Sequence, residues 1–207
     1  MKLIYIYDAL CGWCYGFSPV IHEFVATYKL DCHVLSGGMI TGNRVGPVGD
    51  VAPYIKQAHK DVEQRSSVKF GKDFLEGTLE KGSAVFTSVP AAIAMAVFKK
   101  VMPKHQLDYA SEIQRAIYYH GKQPAEHATF AQIVTKYGIE PHSFQELMEQ
   151  TSYFDQAREE FESVSRLGIS GFPTVLLQSG VQSIAISRGF LPFQELQTNY
   201  ERALTLV

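Results

Sequence analysis

The pair of cysteines near the start of the sequence is its feature with the clearest chemistry. Cys11 and Cys14 are separated by Gly12 and Trp13, and the pair follows an apolar, strand-forming run, Lys2 to Tyr7. A pattern of apolar residues at spacings of three and four begins just after the pair, which is typical of a helix. The pair is therefore predicted to lie where a strand ends and a helix begins.

This position suits thiol chemistry, because the thiolate and not the thiol is the nucleophile. The first turn of a helix has unpaired N–H donors and a partial positive charge, and both stabilise a negative sulfur. Two intervening residues let the second sulfur reach the first across that turn. The spacing predicts that Cys11 is the exposed attacking thiol and Cys14 the buried resolving thiol of a redox pair.

Two other interpretations of the cysteine pair are half of a zinc site and two inert thiols. Zinc usually takes four ligands, and no second close pair of cysteines exists, so Cys32 and His33 would have to complete the set. Adjacent side chains on a strand point to opposite faces, so these two cannot both converge on one ion. Redox chemistry is favoured over a metal site, and Cys32 is expected to be a buried, inert thiol.

The composition limits the classes of protein to which the chain can belong. Charged residues make up 19%, below the ~25% of ordinary globular proteins, so a disordered chain is excluded. A net charge of −2 offers no basic excess for nucleic acid. The longest apolar run, Val89 to Phe98, is half of the ~20 residues of a membrane span. Only the short run Leu3–Tyr7 follows Lys2, fewer residues than the ~7–15 of a secretory signal. We therefore expect a cytoplasmic protein without a nucleic-acid or membrane partner.

The order of predicted elements defines the fold class. The strand Lys2–Tyr7, a helix through Tyr28 and a second strand, Asp31–Ser36, form a βαβ unit with a parallel pair. Pro19 is expected near the first turn of that helix, or at a kink in it. Strand character returns in Thr174–Gln178 and Ser183–Ser187, which read as a hairpin, and a helix, Leu191–Leu204, follows.

Between these two parts, helical patterns dominate from residue 51 to about residue 167. The predicted helices are Ala91–Met102, Asp108–Tyr119, Glu126–Tyr137, Ser143–Gln150, which opens with a capping box at Ser143, and Phe154–Leu167. The fold class is therefore α/β, a βαβ…ββα arrangement interrupted by a large all-helical insertion. Residues 1–40 and 168–207 are predicted to form one domain, and residues 41–167 the helical insertion domain.

The segment Gly171-Phe172-Pro173-Thr174 is a second pointer to function. Proline is tolerated at the first residue of a strand but not within a central one. A cis Phe172–Pro173 bond would expose the Phe172 backbone to a partner, although only ~5–6% of such bonds are cis.

These features together resemble the DsbA family of thioredoxin-fold proteins, and most of all its cytoplasmic, FrnE-like branch. The matching residues are Asp8 to Gly16 around the cysteines, Gly37-Gly38 after the second strand, and Gly171 to Thr174. The resemblance implies a thioredoxin fold (βαβ…ββα) carrying the helical insertion. It also implies Cys11 as nucleophile, Cys14 as resolving thiol, Pro173 as the cis-proline that faces them, and thiol–disulfide exchange as the activity.

The sequence departs from that family in two places. Gly-Trp stands between the cysteines where secreted DsbA proteins have Pro-His, so a thiolate-stabilising histidine is lost. The first strand lacks the buried acid of thioredoxins; Asp8, which follows it, is expected to be a strand-end cap or a solvated acid rather than a proton relay. Superfamily relatives include kappa-type glutathione transferases and 2-hydroxychromene-2-carboxylate isomerase, which use glutathione and typically a serine in place of Cys11.

The expected function is that of a DsbA-like protein disulfide oxidoreductase or isomerase, with a protein or small-molecule disulfide or thiol as substrate. Gly12, Trp13, Phe172 and Thr174 are the predicted substrate-binding residues. No metal or cofactor is expected, with glutathione as a candidate co-substrate. The alternatives are a glutathione-dependent transferase or isomerase of the kappa type, and a non-catalytic partner-binding module. Nothing in the sequence indicates an oligomeric state.

Overall fold

A four-stranded sheet combines strands from the first and last parts of the sequence. The computed structural model describes residues 1–206. Strand β1 (Lys2–Tyr7) is parallel to β2 (Cys32–Ser36) on one side and antiparallel to β5 (Thr174–Ser179) on the other. Strand β6 (Gln182–Arg188) pairs with β5 and completes the order β2-β1-β5-β6. The predicted parallel pair and hairpin are both present.

Successive side chains of β1 point to opposite faces of the sheet, and this alternation decides which of them pack against the helix that carries Cys14. Leu3, Tyr5 and Tyr7 belong to the main hydrophobic cluster, together with residues of helix α1 (Gly12–Tyr28), whereas Ile6 belongs to a smaller cluster on the other face. Pro19 is inside α1, beyond its first turn, so its expected position near the first turn is wrong. The reason is that the helix begins at Gly12, directly after the first cysteine.

The inserted segment is largely helical, as predicted. Its α-helices are α2 (Ala52–Ser66), α3 (Leu79–Lys81), α4 (Val89–Val101), α5 (Gln106–Tyr118), α6 (His127–Ala131), α7 (Pro141–Met148) and α8 (Thr151–Arg166), and a π-helical segment, Asp73–Thr78, precedes α3. The last helix, α9 (Phe193–Leu204), packs against α1 and β6.

Three details of this segment differ from the sequence predictions. Two strands of two residues each, β3 (Gly46–Pro47) and β4 (Val85–Phe86), pair antiparallel within it. The helix predicted over residues 126–137 is α-helical only in α6 and continues as a 3₁₀-helix, Gln132–Tyr137. Segments of two or six residues are too short to give a periodic signal, so neither feature is visible in the pattern.

The predicted capping box at Ser143 is the third difference. Helix α7 begins two residues earlier, with Pro141 in its first turn. Glu140 is the cap: its carboxylate accepts hydrogen bonds from the backbone N–H groups of His142 (2.9 Å) and Ser143 (2.6 Å). Ser143 is therefore a helical residue and not the residue that opens the helix.

One hydrophobic cluster connects the sheet side of the molecule to the helices. It includes Leu3 and Leu177 of the sheet, Phe24 of α1 and Val97 of α4. The four-stranded sheet draws only on residues 1–40 and 168–207, but its core is shared with residues 41–167. The two-domain division stays a prediction. Within residues 1–206, no helix combines the length and the apolar character required to cross a membrane.

Candidate functional site

The cysteine pair lies where the sequence predicts, between β1 and α1. Cys11 is the N-cap of α1, and its sulfur accepts a hydrogen bond from the backbone N–H of Cys14 at 3.4 Å. Both cysteines are free thiols. A sulfur at this position receives an unpaired amide of the first turn and the positive end of the helix dipole.

The burial of the two thiols differs in degree. Cys14 is completely buried and Cys11 keeps 6% of its surface, so the prediction of an exposed attacking thiol is wrong. Cys11 is enclosed because residues of the helical insertion, Phe70 and Tyr118 among them, surround the pocket that it lines. Burial raises the pKa of the Cys14 thiol well above its usual range, and the hydrogen bond with Cys11 raises it further.

Asp8 fixes the turn that carries the cysteines. It is 1% exposed, and its carboxylate accepts hydrogen bonds from the backbone N–H groups of Leu10 (2.9 Å) and Met39 (2.8 Å) and from the Ser88 hydroxyl (2.9 Å). Burial raises the pKa of this carboxyl, and these hydrogen bonds oppose the rise. Asp8 was expected to be either a strand-end cap or a solvated acid. The structure shows the strand-end cap.

The side chain of Gln114 holds the backbone of the same turn from the opposite side. Its amide donates to the carbonyl oxygens of Asp8 (3.2 Å) and Cys11 (3.4 Å), and the residue is 1% exposed. Gln114 belongs to α5 and Ser88 precedes α4, so two helices of the insertion position the turn. Neither residue was predicted as part of the site, because a single polar side chain in or just before an apolar helix does not reveal its partner.

The Phe172–Pro173 segment faces the cysteines from the neighbouring loop. The Phe172–Pro173 peptide bond is cis. The Cys11 thiol lies 3.4 Å from the Phe172 carbonyl oxygen, to which it donates a hydrogen bond. A Cβ atom on Gly37 would lie 2.3 Å from the Phe172 ring, so only glycine leaves room for this ring beside β2. This contact gives the first glycine of the pair after the second strand a physical reason.

Thr174 is placed differently from the other predicted binding residues. It is 2% exposed, and its hydroxyl donates to the Gly171 carbonyl oxygen at 2.9 Å. It does not line the pocket beside Cys11, whereas Gly12, Trp13 and Phe172 do. The side chain of Thr174 therefore stabilises the loop from within.

An apolar pocket of about 360 Å³ opens beside Cys11. It lies between the sheet side of the molecule and the insertion. Among its described lining residues, His59 is the only ionisable one besides Cys11 and two tyrosines. Exposed Val51 and Tyr54 lie at its mouth. The lining residues are Leu10, Cys11, Gly12, Trp13, Met39, Ile40 and Phe172 from the sheet side, and Val51, Tyr54, Ile55, Ala58, His59, Val62, Phe70, Phe86 and Tyr118 from the insertion.

Trp13 forms part of the pocket wall and is only partly buried. Its ring packs against Phe190 with a centroid distance of 5.9 Å. The exposed guanidinium of Arg65 lies 5.4 Å from the Trp13 ring centroid and 5.5 Å from that of Phe190, the geometry of a cation–π contact. A positive charge therefore stands at the rim of the apolar pocket.

The third cysteine is separate from this site. Cys32 lies at the start of β2 and is half-buried, so the expectation of a fully buried thiol is wrong. Its partial burial raises the pKa of the thiol to about 12, which keeps it protonated. Across residues 1–206 there is no group of three or more His, Cys, Asp or Glu side chains placed to hold a metal ion.

The model of the DSBA-like thioredoxin domain matches residues 2–200. The chain belongs to the DsbA-like thioredoxin family. No curated protein sequence matches it.

Several solved structures share this fold along their whole length. A protein from Nitrosomonas europaea is 24% identical, with coverage of 100% of this chain and 99% of the other and a TM-score of 0.87. The cytosolic disulfide reductase DsbM from Pseudomonas aeruginosa is 28% identical, with coverage of 100% of both chains and a TM-score of 0.82. DsbM with glutathione (GSH) is also 28% identical, with coverage of 99% and 100% and a TM-score of 0.80. These likenesses confirm the predicted α/β thioredoxin fold, and the match of the family model confirms the predicted family.

Proposed function

We propose that the protein is a thiol–disulfide oxidoreductase in which Cys11 is the nucleophile and Cys14 the resolving thiol. The observation that carries this proposal is the position of the Cys11 sulfur. It caps helix α1, receives a hydrogen bond from the Cys14 N–H and lines the apolar pocket, while Cys14 is completely buried. A substrate sulfur that enters the pocket meets Cys11 first.

Two exchanges complete the proposed reaction. The Cys11 thiolate attacks one sulfur of a substrate disulfide, the substrate S–S bond breaks, and the second substrate sulfur leaves as a thiolate that takes up a proton. Cys14 then loses its proton and attacks the Cys11 sulfur of the mixed disulfide, which releases the other substrate thiolate. Two electrons pass from the Cys11–Cys14 dithiol to the substrate. The same steps in reverse oxidise a dithiol.

The loop opposite the cysteines supplies the backbone for substrate binding in this proposal. The cis Phe172–Pro173 segment lies against Cys11, so an extended peptide beside the thiol could pair with the Phe172 backbone. Gly12 leaves open the side of the pocket next to the sulfur, and Trp13 provides an apolar wall. We assign Thr174 an indirect role, since its side chain supports this loop.

The substrate class follows from the lining of the pocket. Nearly every lining side chain is apolar or aromatic, so the group next to the substrate sulfur should be apolar as well. The exposed Val51 and Tyr54 extend this surface outwards. A disulfide flanked by apolar residues suits the pocket better than one flanked by charges.

One similar protein supports disulfide reduction as the direction of the reaction and the cytoplasm as the compartment. DsbM is a cytosolic disulfide reductase and 28% identical over its full length. We propose the same compartment and direction for this protein. Trp13 lies between the two cysteines in the sequence and lines the pocket beside Cys11. Its fluorescence in glutathione buffers should therefore report the reduction potential: about −270 mV would indicate a reductase, and about −120 to −180 mV an oxidant or isomerase.

Glutathione is the second candidate ligand. One structure of DsbM is a structure with glutathione. In this proposal glutathione is a co-substrate that reduces the Cys11–Cys14 disulfide, and the exposed Arg65 beside Trp13 offers a charge for one of its carboxylates. A kappa-type transferase would use glutathione without needing Cys14, and this difference separates the two functions.

The Cys14→Ala variant tests the proposal. Without a resolving thiol, the mixed disulfide through Cys11 should accumulate and be detected by mass spectrometry after incubation with a disulfide peptide. Cys32→Ala is the matched control and should leave turnover unchanged, because that thiol lies outside the site. Cys11→Ala should form no adduct.

Three results would contradict the proposal. Cys14→Ala could form no adduct through Cys11, which would make the assigned roles wrong. Cys14→Ala could retain full glutathione-dependent turnover, which would favour a transferase or isomerase. Absence of all thiol-dependent turnover in the unmodified protein, together with a stable partner, would favour a binding module.

A further inference from the structure

Tyr5 has a polar group in the core that the mechanism above does not use. The residue is 1% exposed, and its hydroxyl makes no conventional hydrogen bond within residues 1–206. A buried hydroxyl without a partner destabilises the folded state, and such groups are few in native proteins. Phenylalanine would fill the same space without that penalty, so the hydroxyl at this position calls for a chemical reason.

The packing of Tyr5 places its ring beside the part of α1 that carries the resolving cysteine. Its ring stacks on Tyr7 at a centroid distance of 5.8 Å and lies 6.1 Å from Phe17 of α1. Cys14 is one turn before Phe17 on the same face of that helix. After burial itself, the Cys14 thiol is the neighbouring group that contributes most to the raised pKa of the Tyr5 hydroxyl.

The surroundings of Cys14 contain few groups that could stabilise a negative sulfur. The backbone N–H of Asp8 lowers the pKa of the Cys14 thiol, but burial, Cys11 and the Asp8 carboxylate all raise it. No cation is among these groups. Cys11 and Asp8 act on the Cys14 thiol, and the thiols in turn raise the pKa values of the buried Tyr5 and Tyr7 of β1 and Tyr118 of α5.

We propose that the Tyr5 hydroxyl donates a hydrogen bond to the Cys14 thiolate while this sulfur attacks the mixed disulfide. The proposal rests on the dithiol mechanism given above and assigns a residue to its second exchange. Cys14 releases its proton to solvent, its sulfur forms the bond to Cys11, and the bond from Cys11 to the substrate sulfur breaks. The substrate thiolate leaves and takes up a proton.

Tyr5 keeps its own proton throughout this step. Burial raises the pKa of the Tyr5 hydroxyl well above 10, and the nearby Cys14 and Cys11 thiols raise it further. It therefore remains a neutral donor over the whole working range of pH. A neutral donor stabilises the thiolate without adding a second negative charge beside it, which a buried carboxylate would do.

The variant Tyr5→Phe, with Tyr7→Phe as matched control, separates this role from packing. Each change removes one buried hydroxyl from the same face of β1 and keeps the ring. The reduced protein reacts with the coloured aromatic disulfide 5,5′-dithiobis(2-nitrobenzoate), which releases one thiolate when Cys11 attacks and a second when Cys14 resolves the adduct. Stopped-flow absorbance records the two phases at a series of pH values.

Tyr5→Phe is expected to slow the second phase by about tenfold, because a hydrogen bond to a charged acceptor is lost. The pH midpoint of that phase should rise, while the first phase and the Tyr7→Phe profile stay as in the unmodified protein. A second phase unchanged in rate and midpoint in Tyr5→Phe overturns the role of Tyr5 alone. Absence of any second phase in the unmodified protein overturns the dithiol mechanism and this role with it.

Titration of Cys14 itself provides an independent measurement. In a Cys11→Ala, Cys32→Ala background, thiolate absorbance at short ultraviolet wavelength follows Cys14 alone among the cysteines. Adding Tyr5→Phe should move the midpoint to higher pH, and adding Tyr7→Phe should not. Equal midpoints in the presence and absence of the Tyr5 hydroxyl would overturn the proposal even if the kinetic variants were impaired.

Discussion

At the scale of single residues, the site depends on buried polar groups that connect separate segments. Asp8 binds its own turn through Leu10, the loop after β2 through Met39, and the start of α4 through Ser88. These segments are far apart in the sequence and meet next to Cys11. A carboxylate at this point therefore serves the geometry of the dithiol without touching substrate.

The raised pKa of Asp8 predicts how its contribution to stability varies with pH. An unperturbed Asp has a pKa of about 3.8. Below this pH the carboxyl is protonated in the folded and unfolded states alike, and its contribution to the stability of the folded state is fully present. As pH rises through the higher folded pKa, the buried carboxyl ionises at a cost of about 1.4 kcal/mol per unit of pKa difference. The unfolding free energy of the unmodified protein minus that of Asp8→Asn should fall over this range.

Chemical denaturation at a series of pH values measures that difference. Ser88→Ala is the matched comparison, because it removes one of the hydrogen bonds that hold the pKa of Asp8 down. In that variant the fall should extend to higher pH. A difference that increases as pH rises would contradict the assignment of burial as the dominant cause.

At the scale of elements, the pocket exists because α2 lies close against α1. A Cβ atom on Gly16 of α1 would lie 2.7 Å from Cγ1 of Val62 and 3.0 Å from Oγ of Ser66, both on α2. Val62 is 2% exposed and lines the pocket beside Cys11. Glycine at this position sets how near the wall formed by α2 comes to the thiols.

A double-mutant cycle tests this contact. Gly16→Ala should destabilise the protein by about 1–3 kcal/mol, the usual cost of overpacking a core. Val62→Ala removes the methyl group that the new Cβ would meet, so the double variant should cost less than the sum of the single variants. Thermal unfolding of the four proteins gives the coupling. Additive effects would show that the helices adjust without strain.

The elements also show what could be predicted from the sequence and what could not. The strand before Cys11, the hairpin after Pro173 and the long apolar helix at Ala91 all carry strong local patterns, and they were predicted. The cap of α7 was misplaced because Ser143 and Glu140 both match local cap chemistry, and only the geometry shows which one accepts the N–H bonds.

Contacts between residues that are far apart in the sequence could not be predicted either, and the reason is different. The alternation of β1 places Tyr5 in the core, but nothing local states that its hydroxyl will lack a conventional hydrogen-bond partner there. In the same way, the exposure of Cys11 depends on Phe70 and Tyr118, which come from the insertion and enclose the pocket. The reactive pair was found from spacing, whereas its environment is a property of the assembled chain.

At the scale of the whole molecule, the insertion is attached to an edge of the sheet by buried polar groups. Strand β2 is an edge strand, and its outward N–H groups are occupied: Val34 donates to the Gln106 side chain at 3.1 Å and Ser36 to Glu160 at 3.0 Å. Glu160, on α8, also forms an ion pair with Lys99 of α4. Two helices and the sheet therefore meet at one carboxylate, and no exposed edge is left at these positions for unwanted pairing.

Removing this carboxylate should leave a buried cation without a partner. The side chains of Lys99 and Glu160 are 13% and 19% exposed, and burial lowers the pKa of Lys99 while Glu160 opposes that shift. Glu160→Ala should therefore destabilise the protein by about 3 kcal/mol, a typical cost for breaking a buried pair. Glu80→Ala, which breaks the exposed Lys56–Glu80 pair, is the control and should cost less than about 1 kcal/mol.

The pH dependence of Glu160→Ala distinguishes a lost charge pair from lost packing. Without Glu160, the folded-state pKa of Lys99 falls further below its unfolded value of 10.5, so the folded protein gives up the proton more readily than the unfolded chain does. Stability of the variant relative to the unmodified protein should then rise as pH increases through the folded pKa towards 10.5. Urea unfolding at neutral and alkaline pH measures this recovery. A deficit that is constant with pH would assign the loss to packing and to the unpaired Ser36 N–H, and Lys99 would then have no part in joining the insertion to the sheet.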